Sequence, residues 1–124
     1  MENPQDLLHL ECQHIMADLI SITHPEIVHD ATKLLELVLQ TLQQAGCVVA
    51  EPTIRKYQGG TSIMAFFEIP RGHISIHAEP DNHFVAVDFF VFGHNEIEQT
   101  IAVLCSILKP RIIRKTTLPR GLHI

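Results

Sequence analysis

EIPRGHISIHAEPDN, residues 68–82, decides the fold. His73, Ser75 and His77 alternate with Ile74, Ile76 and Ala78, so an extended backbone sends the polar side chains to one face and the apolar ones to the other. That is a strand with one face for a core and one for chemistry, contact or solvent. Its neighbours SIMAFFEI (62–69) and FVAVDFFVF (84–92) are apolar, β-prone and bounded by Gly, Pro, Asn or Asp. Three strands in succession with short connections predict antiparallel pairing.

Working outward, Ala31, Leu34, Leu35, Val38, Leu39, Leu42 and Ala45 recur every three or four residues, which draws one apolar stripe along a helix, and Gly46 suits its C-terminal cap. CVVAEPTIRKY (47–57) begins strand-like but contains Pro52, which places it at a sheet edge or a bulge; QGGT follows as a turn. Residues 7–20, LLHLECQHIMADLI, read as a strand in which Leu10, Cys12, His14, Met16 and Asp18 share one parity. A second helix is signalled by Asn95 as cap and Glu98 three residues on, with Ile97, Ile101, Leu104, Cys105 and Leu108 as its stripe and Pro110 beyond its end. Arg111 to Thr117 adds a last strand.

The order β-α-β-β-β-β-α-β predicts an α+β fold: one domain over residues 1–124, a two-layer α/β sandwich with a mostly antiparallel sheet and two helices on one face. Period two forbids Phe66, Phe90 and Phe92 from sharing a face with Phe67 and Phe89. A sheet apolar on both sides with helices on only one predicts a homodimer packed sheet to sheet.

At 124 residues and 46% hydrophobic, the chain supports one core. Nine Lys and Arg against fourteen Asp and Glu give a formal charge of −5, with basic residues gathered only in RIIRKTTLPR, which disfavours a nucleic-acid partner. Cys12, Cys47 and Cys105 lie far apart among apolar neighbours and read as buried thiols of a reducing compartment. MENPQDLLHLE has no cationic start followed by an apolar run, and no stretch of about 18 apolar residues occurs, so the expectation is a cytoplasmic protein with no membrane partner.

Histidine is the side chain best suited to move a proton near neutral pH. His73 and His77 are about 13 Å apart along a strand, too far to chelate one ion unless His83 or Asp88 contributes from elsewhere. A nucleophilic triad with Ser62 or Ser75 and His77 lacks the GxSxG context, and YQGGTS lacks the lysine of a phosphate loop. A polar strand face whose histidines are satisfied by neighbours or solvent is the plain alternative.

QHIMADL, the helix ending in QQAG, the turn QGGTS, the core GHISIHAEPDNHFVAVDFFVFG and the late PRG together resemble the bacterial and archaeal S-adenosylmethionine decarboxylase proenzymes over about residues 12–122. In that family the core reads serine, His, hydrophobic, x, Ile, His, x, x, Pro, Glu, followed by an A-V-D-hydrophobic-F strand ending in Cys-Gly. His73, Ile76, His77, Pro80, Ala86, Val87, Asp88, Phe90 and Gly93 stand in matching places. The resemblance implies a dimeric α/β sandwich acting in spermidine synthesis. Each chain of the family cleaves itself at the serine, whose hydroxyl attacks the preceding carbonyl, and converts it to a pyruvoyl group that serves decarboxylation.

The match breaks where that chemistry begins. The serine position is Gly72, which has no oxygen to form the ester and no Cβ to become a pyruvoyl methyl, so no pyruvoyl cofactor is expected. Arg71 replaces the usual glutamate before it, Phe92 stands at the family cysteine, and the acidic residue after Pro80 is Asp81. His77 matches the processing histidine, Ser62 the serine that assists it after a shift of about two residues, and Tyr57 the aromatic that stacks on adenine; His73, Asp81 and Asp88 complete the ligand-binding set that the resemblance implies. Three readings follow. One is a non-processing homologue, regulatory or ligand-binding, that takes S-adenosylmethionine or a related nucleoside. Another is an active decarboxylase through another nucleophile or a mixed dimer with an active paralogue. The last is a histidine-based metal-binding module.

Overall fold

In the computed structural model, which describes residues 11–24, 26–57, 59–92 and 97–121, six strands form one antiparallel sheet. They are β1 (Glu11–Ile22), β2 (Thr53–Lys56), β3 (Ile63–Ile69), β4 (Gly72–Glu79), β5 (Phe84–Phe92) and β6 (Pro110–Gly121), in spatial order β2-β3-β4-β5-β1-β6. The helices are α1 (Glu26–His29), α2 (Ala31–Gln44) and α3 (Ile97–Leu108). β2 to β5 form a meander because their connections are short. β1 instead reaches the far edge through α1 and α2, and β5 reaches β6 through α3. Both crossings lay an apolar helix stripe over the same sheet face.

Period two sets that face. Ile63, Ala65, Phe67 and Ile69 of β3, Ile74, Ile76 and Ala78 of β4, and Val85, Val87, Phe89 and Val91 of β5 are buried. The register aligns them into rows such as Phe67, Ile74, Phe89 and Ile15. Leu34, Val38 and Leu42 of α2 and Ile101, Leu104 and Leu108 of α3 close over these rows in the same core. Near the end of β1, Ser21 takes a left-handed backbone (φ 55°), which inverts the alternation so that both Leu19 and Ile22 turn inward. The predicted division of the phenylalanines holds: Phe67 and Phe89 are fully buried, whereas Phe66 is 43% exposed and Phe90 and Phe92 are half-buried on the opposite face.

Several expectations change in extent. The strand read over 7–20 runs to Ile22, and the sheet-edge segment read over 47–57 forms a strand only at Thr53–Lys56, with isolated backbone bonds from Ala50 N to Glu68 O and from Tyr57 N to Ser62 O on either side. The last strand reaches Gly121 because β1 offers it a long partner. Among the described residues there are three helices rather than two; α1, one turn long, is too short to show a period and is held by the buried Val28. Residues 7–10, Gln58 of the QGGT turn, the matched Gly93 and the cap read at Asn95 lie outside the described residues. Of the cysteines, Cys12 is buried while Cys47 and Cys105 are half-buried, and burial pushes the Cys105 thiol up. No helix among the described residues is long and apolar enough to cross a membrane.

The α2 ends follow local chemistry. Asp30 caps the start, its Oδ1 accepting from the backbone N–H groups of Thr32 (3.0 Å) and Lys33 (3.2 Å). At the other end Gly46 (φ +84°) turns the chain so that its N–H reaches Gln43 O and that of Cys47 reaches Leu42 O, the paired closure that glycine permits. Asp30→Ala, which removes both cap bonds at an exposed site, is expected to cost about 1 kcal/mol in urea denaturation; an unchanged midpoint would contradict the cap's role.

Candidate functional site

The alternation that buries Ile74, Ile76 and Ala78 turns His73, Ser75, His77 and Glu79 to the outer face of β4. Cross-strand pairing then supplies their neighbours. His77 stands between Met64 of β3 and Ala86 of β5, Ser75 between Phe66 and Asp88, and His73 between Glu68 and Phe90.

At the C-terminal end of β4 four side chains meet. Ser62 Oγ donates to Glu79 Oε2 at 2.6 Å, and His77 Nε2 donates to Glu79 Oε1 at 2.7 Å. The Tyr57 ring stacks on the His77 imidazole with centroids 6.4 Å apart, and the Tyr57 N–H binds Ser62 O, closing the β2-β3 connection over the site. Because Nε2 carries the proton toward Glu79, Nδ1 of His77 is left as an acceptor in the neutral imidazole. Ser62 does not touch His77 directly; Glu79 stands between them. The hydrogen bonds from Ser62 and then from His77 hold the Glu79 carboxyl below its ordinary value.

Sequence reasoning brought Tyr57, Ser62 and His77 together and missed Glu79. The signal was present, since Glu79 lies two residues after His77 and so shares its strand face. Family matching passed over it as an unspecified position before Pro80.

At the other end of β4, Pro70 and Arg71 form a tight turn in which Arg71 is left-handed (φ 61°) and Ile69 pairs with Gly72. Gly72 pairs with Val91, and its parity is that of Ile74 and Ile76, not that of His73 and His77. A Cβ at position 72 would run into the Phe90 carbonyl oxygen and come within 2.8 Å of Val91 Cγ1 and 2.9 Å of Val91 Cα. Beside it lies an aromatic ladder: Phe66 stacks on His73 (5.3 Å) and His73 on Phe90 (5.4 Å), with Phe92 edge-on to Phe90 at 5.6 Å. The Arg120 guanidinium lies 4.8 Å from the Phe90 centroid and that of Arg71 5.9 Å from Phe92.

One chain therefore does not unite the whole predicted set. Gly72 and His77 lie five residues apart on opposite faces of β4, about 16 Å along the strand. Asp88 is exposed opposite Ser75, and Asp81 sits in the single 3-10 turn Pro80–Asn82 beyond β4. His83 Nδ1 donates to the Ile22 carbonyl at 3.1 Å, away from His73 and His77, and among the described residues no three His, Cys, Asp or Glu side chains converge as a metal site.

The lowered carboxyl has a pH consequence. A folded-state value depressed below the unfolded one contributes stability above the unfolded value, and that contribution is lost as pH falls through the depressed midpoint. Ser62→Ala is expected to move the Glu79 midpoint, read by carbon-13 NMR titration, upward toward the ordinary glutamate value; an unmoved midpoint would show that Ser62 does not set it.

Comparison with known proteins places this geometry in context. The family model for S-adenosylmethionine decarboxylase matches residues 13–121. Relatives named S-adenosylmethionine decarboxylase proenzyme include those of Aeropyrum pernix, 26% identical over 89% of this chain and 84% of that one, and Symbiobacterium thermophilum, 29% identical over 88% and 82%. The crystal structure of the adenosylmethionine decarboxylase from Aquifex aeolicus superposes with a TM-score of 0.79 at 22% identity, covering 93% of this chain and 94% of the other. The fold is thus the one these enzymes share, and the chain belongs to the S-adenosylmethionine decarboxylase family.

Proposed function

We propose that this chain is a non-processing member of its family, a ligand-binding or regulatory homologue that carries no pyruvoyl group of its own. The observation that supports this most is the backbone at position 72. Glycine supplies neither the oxygen nor the Cβ that pyruvoyl formation consumes, and the space a side chain would fill is taken by Phe90 O and Val91. The residues present do not fit the group. Ser75, the hydroxyl nearest to Gly72 along β4, lies mid-strand on the other face, where attack on its own backbone would break ladder bonds on both sides.

The polar cluster at Tyr57, Ser62, His77 and Glu79 is intact by contrast, with each hydrogen bond short and directed. It gives the chain a flat aromatic ring beside an ionised carboxylate, chemistry that suits stacking of a nucleoside with a polar anchor. S-adenosylmethionine or a related nucleoside is the ligand class we assign to it. Sheet-to-sheet pairing of two copies joins this account because the ladder of Phe66, His73 and Phe90, with Met64 and Phe92, leaves an apolar band on the uncovered sheet face.

Three measurements test the proposal. Purified protein is expected to release no labelled carbon dioxide from carboxyl-labelled S-adenosylmethionine above background; turnover would overturn it. Gly72→Ser is expected to remain uncleaved and to lose about 1–3 kcal/mol in denaturant unfolding, with Gly72→Ala losing a similar amount, because the added Cβ forces β4 and β5 apart. A serine variant as stable as the parent would contradict the packing argument. In sedimentation velocity the parent chain is expected as a dimer at micromolar concentration and Phe66→Glu as a folded monomer; a monomeric parent would remove the sheet-to-sheet pairing.

A further inference from the structure

Beyond the end of β4, and lined by none of Tyr57, Ser62, His77 and Glu79, lies an open cavity of about 610 Å³ between the 3-10 turn, the end of β1 and the start of β6. Its rim carries Asp81 and Asn82 from the turn, His83 after it, Ser21 and Thr23 from β1 and its exit, and Arg111 from β6. Ser21 (φ 55°) and His83 (φ 51°) are left-handed non-glycine residues, as is Lys109 (φ 48°), two residues before Arg111. Such backbone costs about 1 kcal/mol or more at each position and persists where surrounding contacts hold it. Here those contacts are the bonds from Ile22 N to His83 O (2.9 Å), from Thr23 N to Lys109 O (3.3 Å) and from Thr23 Oγ1 to Lys109 O (2.9 Å).

The same contacts fix the chemistry of the rim. The Ile22 carbonyl accepts only from a protonated ring nitrogen, so the 3.1 Å bond from His83 Nδ1 leaves Nε2 as the acceptor of the neutral imidazole. Asp81 and Arg111, of opposite charge, border one cavity, yet among the described residues neither enters an ion pair. A carboxylate acceptor and an imidazole nitrogen on one side, with a guanidinium fork on the other, complement a ligand that carries both charges on adjacent groups.

We propose that this cavity binds a free α-amino acid as its zwitterion. Arg111 takes the α-carboxylate, and Asp81 and His83 Nε2 take the α-ammonium; Ser21 lines the same cavity. Among the described residues that line the cavity there is no Phe or Tyr ring, unlike the Tyr57 cluster. The inference does not depend on the processing state of the chain, since every residue in it lies away from Gly72.

Isothermal titration calorimetry on the full chain tests it. The probes are the standard L-amino acids, each compared with its deaminated acid and its decarboxylated amine, and S-adenosylmethionine is titrated in parallel. At least one amino acid is expected to bind saturably, with either analogue weaker by about tenfold or more. Arg111→Ala and Asp81→Asn are each expected to lose a similar factor, at an unchanged melting temperature because both residues are exposed. His83→Gly, which keeps the left-handed backbone and removes Nε2 together with the Nδ1 bond to the Ile22 carbonyl, is expected to weaken binding. Absence of binding by every amino acid at millimolar concentration would overturn the proposal. So would analogues that bind as well as the parent amino acid, or binding that survives the Arg111 and Asp81 substitutions. Heat from S-adenosylmethionine that the Arg111 and Asp81 substitutions leave intact bears on the Tyr57 cluster and not on this cavity.

Discussion

The outer face of the sheet depends on the close approach of β4 to β5 at Gly72. There the β5 backbone and Val91 occupy the volume a Cβ needs, and the Phe92 N–H bonds to Arg71 O at 2.9 Å across the same point. With β4 seated this close, His73 stacks between Phe66 and Phe90, and the outer face takes its register from that row. The same register carries His77 and Glu79 to the other end of the strand, where Ser62 and Tyr57 meet them. One tight contact therefore fixes both ends of the strand on which the site is built.

The two ends of β4 differ in character. Around Gly72 the groups are apolar or cationic: Arg71, Phe92 and Phe90, with Arg120 over the ring. Around Glu79 the network is polar and satisfied, with both carboxylate oxygens used.

Much of the fold was legible because its signals are periodic. The alternation in β4 and β5 and the three-four spacing of α2 each report burial directly, and the separation of Phe67 and Phe89 from Phe66, Phe90 and Phe92 follows from parity, while the structure shows which set is buried. What escaped was aperiodic or non-local. The one-turn α1 is set by Val28 meeting the core, and the inversion at Ser21 is a backbone event without a composition signal. At the site, Glu79 was hidden in plain alternation, and the burial of position 72 against Val91 depends on strand pairing that no single segment encodes. The separation of Asp81 from His77 arises from the 3-10 turn between β4 and β5, which sends Asp81 toward the end of β1.

The central claim is that the peptide bond ahead of Gly72 stays whole. Intact mass spectrometry of the purified protein after prolonged incubation reads it most directly. The account predicts one species at the 14.0 kDa of the uncut chain; two fragments meeting between Arg71 and Gly72, or beside Ser75, would contradict it.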